Sequence, residues 1–188
     1  MDAVAAVDEA FAAVPRRDYL REGYQDEAGY DEPLPIGHGQ TNSQPSTVRD
    51  MLVLLEVQPG HRVLDVGAGS GWTTALLGHL VGPTGLVVGV EIEPDLASWG
   101  EANVRRTPYA WASVRPAEPD VLGVPAEGPY DRILVSAAAR SLPEQLVGQL
   151  ADGGRMVIPV NGVMVVAVKS GDRVRLSEHG YYRFVPLH

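Results

Sequence analysis

Val63-Leu64-Asp65-Val66-Gly67-Ala68-Gly69-Ser70-Gly71 decides the fold. Arg62 to Val66 reads as a short apolar strand, Gly67 to Gly71 as a G-x-G-x-G loop, and Trp72 to Val81 as a helix. Glycine lets backbone approach a ligand closely and take positive φ. The helix start behind it offers unpaired N–H groups and a partial positive charge, so an anionic group is expected there. Glu91 ends the next strand about twenty residues on, where a carboxylate takes both hydroxyls of a ribose. The competing reading is a turn built for tight packing, with Glu91 only capping a helix. Dinucleotide sites show G-x-G-x-x-G. Here the third glycine comes one place early, and Trp72 would crowd a pyrophosphate.

Outward from the loop the pattern alternates. Leu86 to Val90 is nearly continuous apolar sequence, as in a strand buried on both faces. Glu93-Pro94-Asp95 opens a helix to about Arg106; strands are expected at Ala112 to Arg115, Ile133 to Ser136 and Arg155 to Pro159. A helix from Pro143 to Leu150 is expected to stop at Asp152-Gly153-Gly154. Val163 to Lys169, Arg173 to Ser177 and Tyr181 to Val185 read as antiparallel strands joined by short turns. Upstream, Val4, Val7, Phe11 and Val14 recur at helical spacing, and Val48, Met51, Leu52 and Leu55 form a second helical stripe. The fold class is therefore α/β: a doubly wound, mostly parallel Rossmann-like sheet with antiparallel C-terminal strands. One domain over 1–188 is expected: N-terminal helices and a loop (1–58), a ligand-binding core (59–160) and the antiparallel addition (161–188).

Composition narrows the function. The 188 residues suit one domain, and the hydrophobic share of 45% is ordinary for a globular chain. A formal charge of -9 repels polyanions, and Arg105, Arg106 and Arg115 are too few for a phosphate-tracking groove, so no nucleic-acid partner is expected. The absence of cysteine excludes disulfides and thiolate chemistry, and no metal site is expected. Neither a signal peptide at Met1-Asp2-Ala3-Val4 nor a membrane-length apolar run is seen, so a cytoplasmic monomer without a membrane partner is expected.

The segment before the loop carries more information. Asp31 to Pro45, with Pro33, Pro35, Gly37 and Gly39, reads as irregular structure, and long irregular segments in compact domains usually carry function. Ser43 reads as an N-cap, with Pro45 in the first helical turn. Leu64-Asp65-Val66 before G-x-G-x-G resembles the first motif of class I methyltransferases that use S-adenosylmethionine. Pro33-Leu34-Pro35-Ile36-Gly37-His38-Gly39-Gln40-Thr41-Asn42-Ser43-Gln44-Pro45 resembles the substrate loop of protein-L-isoaspartate O-methyltransferases. Val14-Pro15-Arg16-Arg17, Pro129 to Ala139, Gly153 to Val160 and Phe184-Val185-Pro186-Leu187 resemble the same family.

That resemblance implies an S-adenosyl-L-methionine-dependent carboxyl methyltransferase yielding S-adenosyl-L-homocysteine. Its substrates would be proteins or peptides bearing isoaspartate, and its product ester would cyclise to a succinimide. It implies Gln40, Thr41, Asn42, Asp65, Gly67, Ala68, Gly69, Ser70, Gly71, Glu91 and Ile92 at the cofactor, with Asp65 on its amine and Glu91 on its ribose. Ser43 is implied as the catalytic residue, beside Gln44, Pro45 and His38 on the substrate side; His38 is expected to have a structural or gating role. Trp72 is expected to pack rather than stack on adenine.

The family's Gly-Asp-Gly after the third core strand is replaced by Arg115-Pro116-Ala117-Glu118-Pro119-Asp120-Val121-Leu122-Gly123, leaving Glu118 or Asp120 for adenine. Asn42 stands where an apolar residue is common, implying a more polar acceptor side, and His188 stands where a threonine is common. These departures keep alternatives open: a tailoring enzyme methylating an aspartate of one biosynthetic peptide, a non-catalytic S-adenosylmethionine-binding module, or, against the charge, an RNA methyltransferase.

Overall fold

The computed structural model describes residues 2–187. Met1 and His188, including the position where the terminal motif departs from the family, lie outside them. The alternating apolar segments form β3 (Arg62–Val66), α3 (Trp72–Val81), β4 (Leu86–Glu91), α4 (Pro94–Val104), β5 (Ala112–Pro116) and β6 (Tyr130–Val135). They continue as α5 (Glu144–Gly148), β7 (Leu150–Val160), β8 (Val163–Ser170) and β9 (Arg173–Tyr181). Ahead of them stand α1 (Ala3–Ala13), β1 (Leu34–Gly37), β2 (Gln40–Asn42) and α2 (Pro45–Leu55).

The main sheet has seven strands in the order β5-β4-β3-β6-β7-β8-β9. β5, β4, β3, β6 and β7 are parallel, and β8 and β9 are antiparallel additions. The chain builds outward from β3 to β5, then returns to place β6 on the other side of β3. Ligands of such sheets bind at that switch point, beyond the carboxyl ends of the strands. One face of the sheet, through Val63, Val87, Leu134 and Val157, packs on α1, α2 and α3, whose Val7, Ala10, Val48, Met51, Leu55 and Leu76 are buried. The other face, through Leu64, Val88, Ile133 and Met156, packs on Leu146 of α5 and on Tyr130.

Four local expectations are corrected. The proline- and glycine-rich segment is not wholly irregular: β1 and β2 pair as an antiparallel ribbon. A two-stranded ribbon tolerates Pro35, whose missing donor faces no third strand. Gly37, His38 and Gly39 all take positive φ at its turn. Ser43 is not the N-cap of α2; Gln44 occupies that position, and the Asp31 carboxylate supplies the cap from a distance by accepting the Ser46 N–H at 2.8 Å. Asp152-Gly153-Gly154 does not end a helix before the strand but lies inside β7, where the pairing register with β6 shifts. At the C-terminus two strands replace the expected three: β9 runs unbroken to Tyr181, and Tyr182 to Leu187 instead crosses the sheet's end, pairing Pro186 with Ala138.

The glycine loop rests directly on α4. A Cβ on Gly71 would sit 2.7 Å from the Gly100 carbonyl oxygen, and one on Gly100 would sit 2.6 Å from that of Gly69. Gly100 is therefore a contact point and not a tolerated defect of its helix. Gly100→Ala is expected to lower stability by about 1–3 kcal/mol through overpacking. Gly148→Ala, where a Cβ meets nothing, is expected to be neutral or slightly stabilising. Thermal unfolding of the two variants checks this; equal melting temperatures would remove the close-contact argument.

Candidate active site

The crevice at the switch point is a cleft of about 1490 Å³. Among the predicted site residues its walls hold Gln40, Thr41, Ser43, Gln44, Gly67, Gly69, Glu91, Ile92, Glu118 and Asp120. A recess of about 30 Å³ between the ribbon and the glycine loop adds Asn42, Ala68 and Ser70. His38, Pro45, Asp65 and Gly71 line neither.

Strand periodicity explains the position of Asp65. Side chains alternate along β3, so Asp65 shares the face of Val63 and points under α3, one layer beneath the loop. It is fully buried and accepts the hydroxyls of Thr73 and Thr74 on one oxygen, each at 2.7 Å. Its other oxygen has no partner. Burial raises its pKa to about 6 against the opposing pull of the two hydroxyls, with the Glu91 charge adding to the rise.

Glu91, 5% exposed, is held at the cleft floor. It accepts the Gly69 N–H at 2.8 Å and the Glu93 N–H at 3.1 Å, so it orients the loop and caps the start of α4 together. Asn103, missed in the sequence, donates to the Ser70 carbonyl at 2.9 Å from within α4. Gly71 serves the packing already described. Trp72 is a packing residue, 3% exposed, donating to the Val14 carbonyl at 3.1 Å and meeting Phe11 edge-on.

Two arginines and a histidine hold the ribbon over this floor. Arg16, 6% exposed, donates to the Asn42 side-chain oxygen at 2.7 Å and to the carbonyls of Tyr30, Glu32, Asn42 and Ser43 at 2.7–3.2 Å. Desolvation lowers its pKa to about 10, so it stays charged at neutral pH. Arg21 lies over the Trp99 ring at 3.7 Å and donates to the Ile36 carbonyl. His38, at the ribbon's tip, stands 3.4 Å from Glu93 and 3.8 Å from Asp95. It is thus placed on the outside of the ribbon, against α4.

Asn42 does not make the acceptor wall polar, as its composition implied. It is 3% exposed and turned inward, where its amide donates to the Ser70 hydroxyl at 3.1 Å. The chain Arg16–Asn42–Ser70 ties the ribbon to the glycine loop. Ser43, next along, lines both the cleft and the recess, and among the described residues its hydroxyl has no hydrogen-bond partner. Pro45 starts α2 behind it.

The far wall was missed in part. Ser136 and Ala137 follow β6, and Tyr181 to Leu187 bring the terminal segment across the mouth. Tyr181 and Tyr182 had read only as strand residues. The Tyr182 hydroxyl reaches Asp50 of α2 at 2.9 Å, an approach across the fold that no local pattern signals. Gly100 did carry a signal, since a glycine inside a helix costs about 1 kcal/mol relative to alanine and points to a close approach.

Asp65 generates a pH prediction. The fold favours its protonated form, so its contribution is intact below the unfolded value of 3.8 and is lost as pH rises through about 6. Asp65→Asn is expected to gain stability relative to the parent at pH 7.5, by up to about 3 kcal/mol, and to lose that advantage near pH 4. Urea unfolding at the two pH values decides it; a pH-independent difference would contradict it.

The comparisons agree with this geometry. Residues 2–188 match the family model for protein-L-isoaspartate(D-aspartate) O-methyltransferase. A protein-L-isoaspartate O-methyltransferase of Methanopyrus kandleri is 44% identical over 186 residues, covering 96% of this chain and 82% of the relative. That of Aeropyrum pernix is 46% identical over 184 residues, covering 95% and 71%. A solved protein-L-isoaspartate O-methyltransferase superposes with a TM-score of 0.88 at 27% identity; the match spans 97% of this chain and 61% of that one. A Plasmodium falciparum protein assigned to the same activity, solved in complex with S-adenosyl-L-homocysteine, gives 0.81 at 27% identity over 97% and 90%. The chain belongs to the protein-L-isoaspartate(D-aspartate) O-methyltransferase family.

Proposed function

We propose that Ser43 is the residue at which this chain positions the carboxylate of an L-isoaspartyl site for methylation, with protein repair as the outcome. Membership of the family makes the chain an S-adenosyl-L-methionine-dependent O-methyltransferase. The observation that carries the assignment to Ser43 is its unpaired hydroxyl on the cleft wall, in a segment that Arg16 holds at the Asn42 and Ser43 carbonyls.

The residues present fit the cofactor. The bare loop at Gly67 and Gly69 leaves room for close approach, and Glu91 is aimed into the cleft with acceptor capacity for a ribose. The unpaired Asp65 oxygen remains as an acceptor for a cationic ammonium, acting from beneath the loop. Ile92, Glu118 and Asp120 fit the adenosine end, and Gln40 and Thr41 the wall that covers it. When bound, the cofactor supplies an intrinsically electrophilic sulfonium methyl.

The protein's own work is alignment and dehydration. An acceptor carboxyl with a reference pKa near 4 is already ionised at neutral pH, so no general base is required. That accords with a cleft wall whose described residues include no histidine. Ser43 donates a hydrogen bond that fixes the attacking oxygen, and the apolar wall of Ile36, Ala137, Val185 and Leu187 excludes water. Alignment of this kind contributes up to roughly 7–11 kcal/mol. His38 and Pro45 act by shaping the ribbon and the start of α2, and Gln44 by its bond to Asp31 at 3.1 Å. After release, attack of the neighbouring backbone amide nitrogen on the ester carbonyl expels methanol and closes the succinimide, with no further residue needed.

Two variants test the assignment. Ser43→Ala is expected to lower kcat/KM for an isoaspartyl peptide by about 10- to 100-fold, the range for a hydrogen bond to a charged group, with cofactor affinity kept. Matched isoaspartyl and aspartyl peptides separate repair from aspartate tailoring: labelling of the aspartyl peptide alone would overturn the repair reading. Arg16→Lys keeps the charge but loses the planar fork. Peptide KM is expected to rise at least about tenfold with a smaller change in cofactor affinity. Equal loss of both would assign Arg16 to general stability instead.

A further inference from the structure

The charged residues on the cleft wall are segregated by sign. Glu91, Glu118 and Asp120 stand beyond the carboxyl ends of β4 and β5, at the end assigned above to adenosine. Arg140 and Arg183 stand at the other end. Arg140 follows the Ala137-Ala138-Ala139 segment beyond β6, and its carbonyl accepts the Asn161 amide at 2.8 Å. Arg183 lies on the terminal segment between Tyr182, bonded to Asp50 of α2, and Val185, whose carbonyl accepts the Ala138 N–H at 2.7 Å. The two side chains thus come from adjoining segments on the wall of the cleft that Ser43 also lines.

Both arginines are exposed, and among the described residues neither guanidinium has an ion-pair or hydrogen-bond partner. Arg16, Arg21, Arg115 and Arg155 are all engaged with protein oxygens. This contrast has a cost in an acidic chain. With a net charge of -9, the overall field opposes an anionic peptide, so two unmatched cations at the mouth lower that barrier only locally.

We infer that Arg140 and Arg183 read a second carboxylate on the substrate, so that the chain favours isoaspartyl sites carrying another acidic group within a few residues. The inference rests on the placement of the acceptor at Ser43. The second carboxylate has two chemical sources, a flanking Asp or Glu side chain and a nearby peptide C-terminus, and both offer the planar oxygen pair that a guanidinium matches. The arginines are specificity residues: they touch the peptide away from the reacting atoms, and they act on KM and on the rate of encounter.

The test uses C-terminally amidated isoaspartyl peptides differing only in flanking Glu, Gln or Lys, and the Gln peptide with a free C-terminus. Two exposed pairs are expected to give the Glu peptide a kcat/KM about five- to tenfold above the Gln peptide at low salt. The Lys peptide is expected to fall below both, and 0.5 M salt to compress the series. In Arg140→Gln/Arg183→Gln the Glu-to-Gln ratio is expected to fall to within twofold, and each single variant to lie between. The free-C-terminus peptide shows whether that source is read as well. Wild-type indifference to flanking charge, or a preference that survives in the double variant, would overturn the inference. Methylation of the Gln peptide at an ordinary rate in either case would leave the repair reading standing. Failure of every isoaspartyl peptide to be methylated would instead strike the reading on which it rests.

Discussion

The site depends on one buried guanidinium. Taking Arg16 out of water is costly unless its donors are matched, and here they are matched by backbone carbonyls and the Asn42 side chain. Those acceptors belong to a stretch from Tyr30 to Ser43 whose buried hydrophobic side chains are Leu34 and Ile36. The two-stranded ribbon is too small to be stable alone. Arg16 gives it a defined position by satisfying carbonyls that would otherwise face the interior without partners. Because the guanidinium is a planar fork, it fixes direction as well as distance, and Ser43 inherits that precision from the carbonyl bonded to Arg16.

The ribbon and the glycine loop then form one unit. Asn42 passes the constraint from Arg16 to Ser70, and Asn103 and Gly100 hold the same loop from α4. Glu91 closes the circuit from β4 by accepting the Gly69 N–H. An Asn at position 42 is therefore a structural connector between the ribbon and the glycine loop. Its polarity had read as a property of the substrate surface; its burial makes it a property of the scaffold. Asp65 is likewise held inside the scaffold, by the hydroxyls of Thr73 and Thr74, and carries a desolvation cost beneath the glycine loop.

The cleft's electrostatics follow from topology. Parallel strands deliver β4 and β5 ends, with their carboxylates, to one side of the switch point, and the segment after β6 to the other. The antiparallel β8 and β9 return the chain so that Tyr182 to Leu187 can cross that second side. Among the described residues the walls combine apolar side chains with carboxylates on one side and arginines on the other. Among the described residues no helix is long and apolar enough to cross a membrane.

The sequence by itself determined the parallel core. Arg62–Val66, Trp72–Val81 and Leu86–Glu91 are legible because burial on both faces demands continuous apolar strands, and because a glycine loop between strand and helix has few other uses. Ser43 was singled out by the resemblance of Pro33 to Pro45 to a substrate loop; its immediate neighbours suggested only an N-cap. Tertiary structure alone decided the ribbon, the distant cap from Asp31, the inward turn of Asn42, the burial of Asp65 and the path of the terminal segment. The physical reason is common to all five. Local periodicity reports whether a residue meets water or core, but the partner of a polar group is set by which distant segment is brought beside it. Arg16 meets the carbonyls of Tyr30, Glu32 and Ser43 only once the chain has folded back on itself.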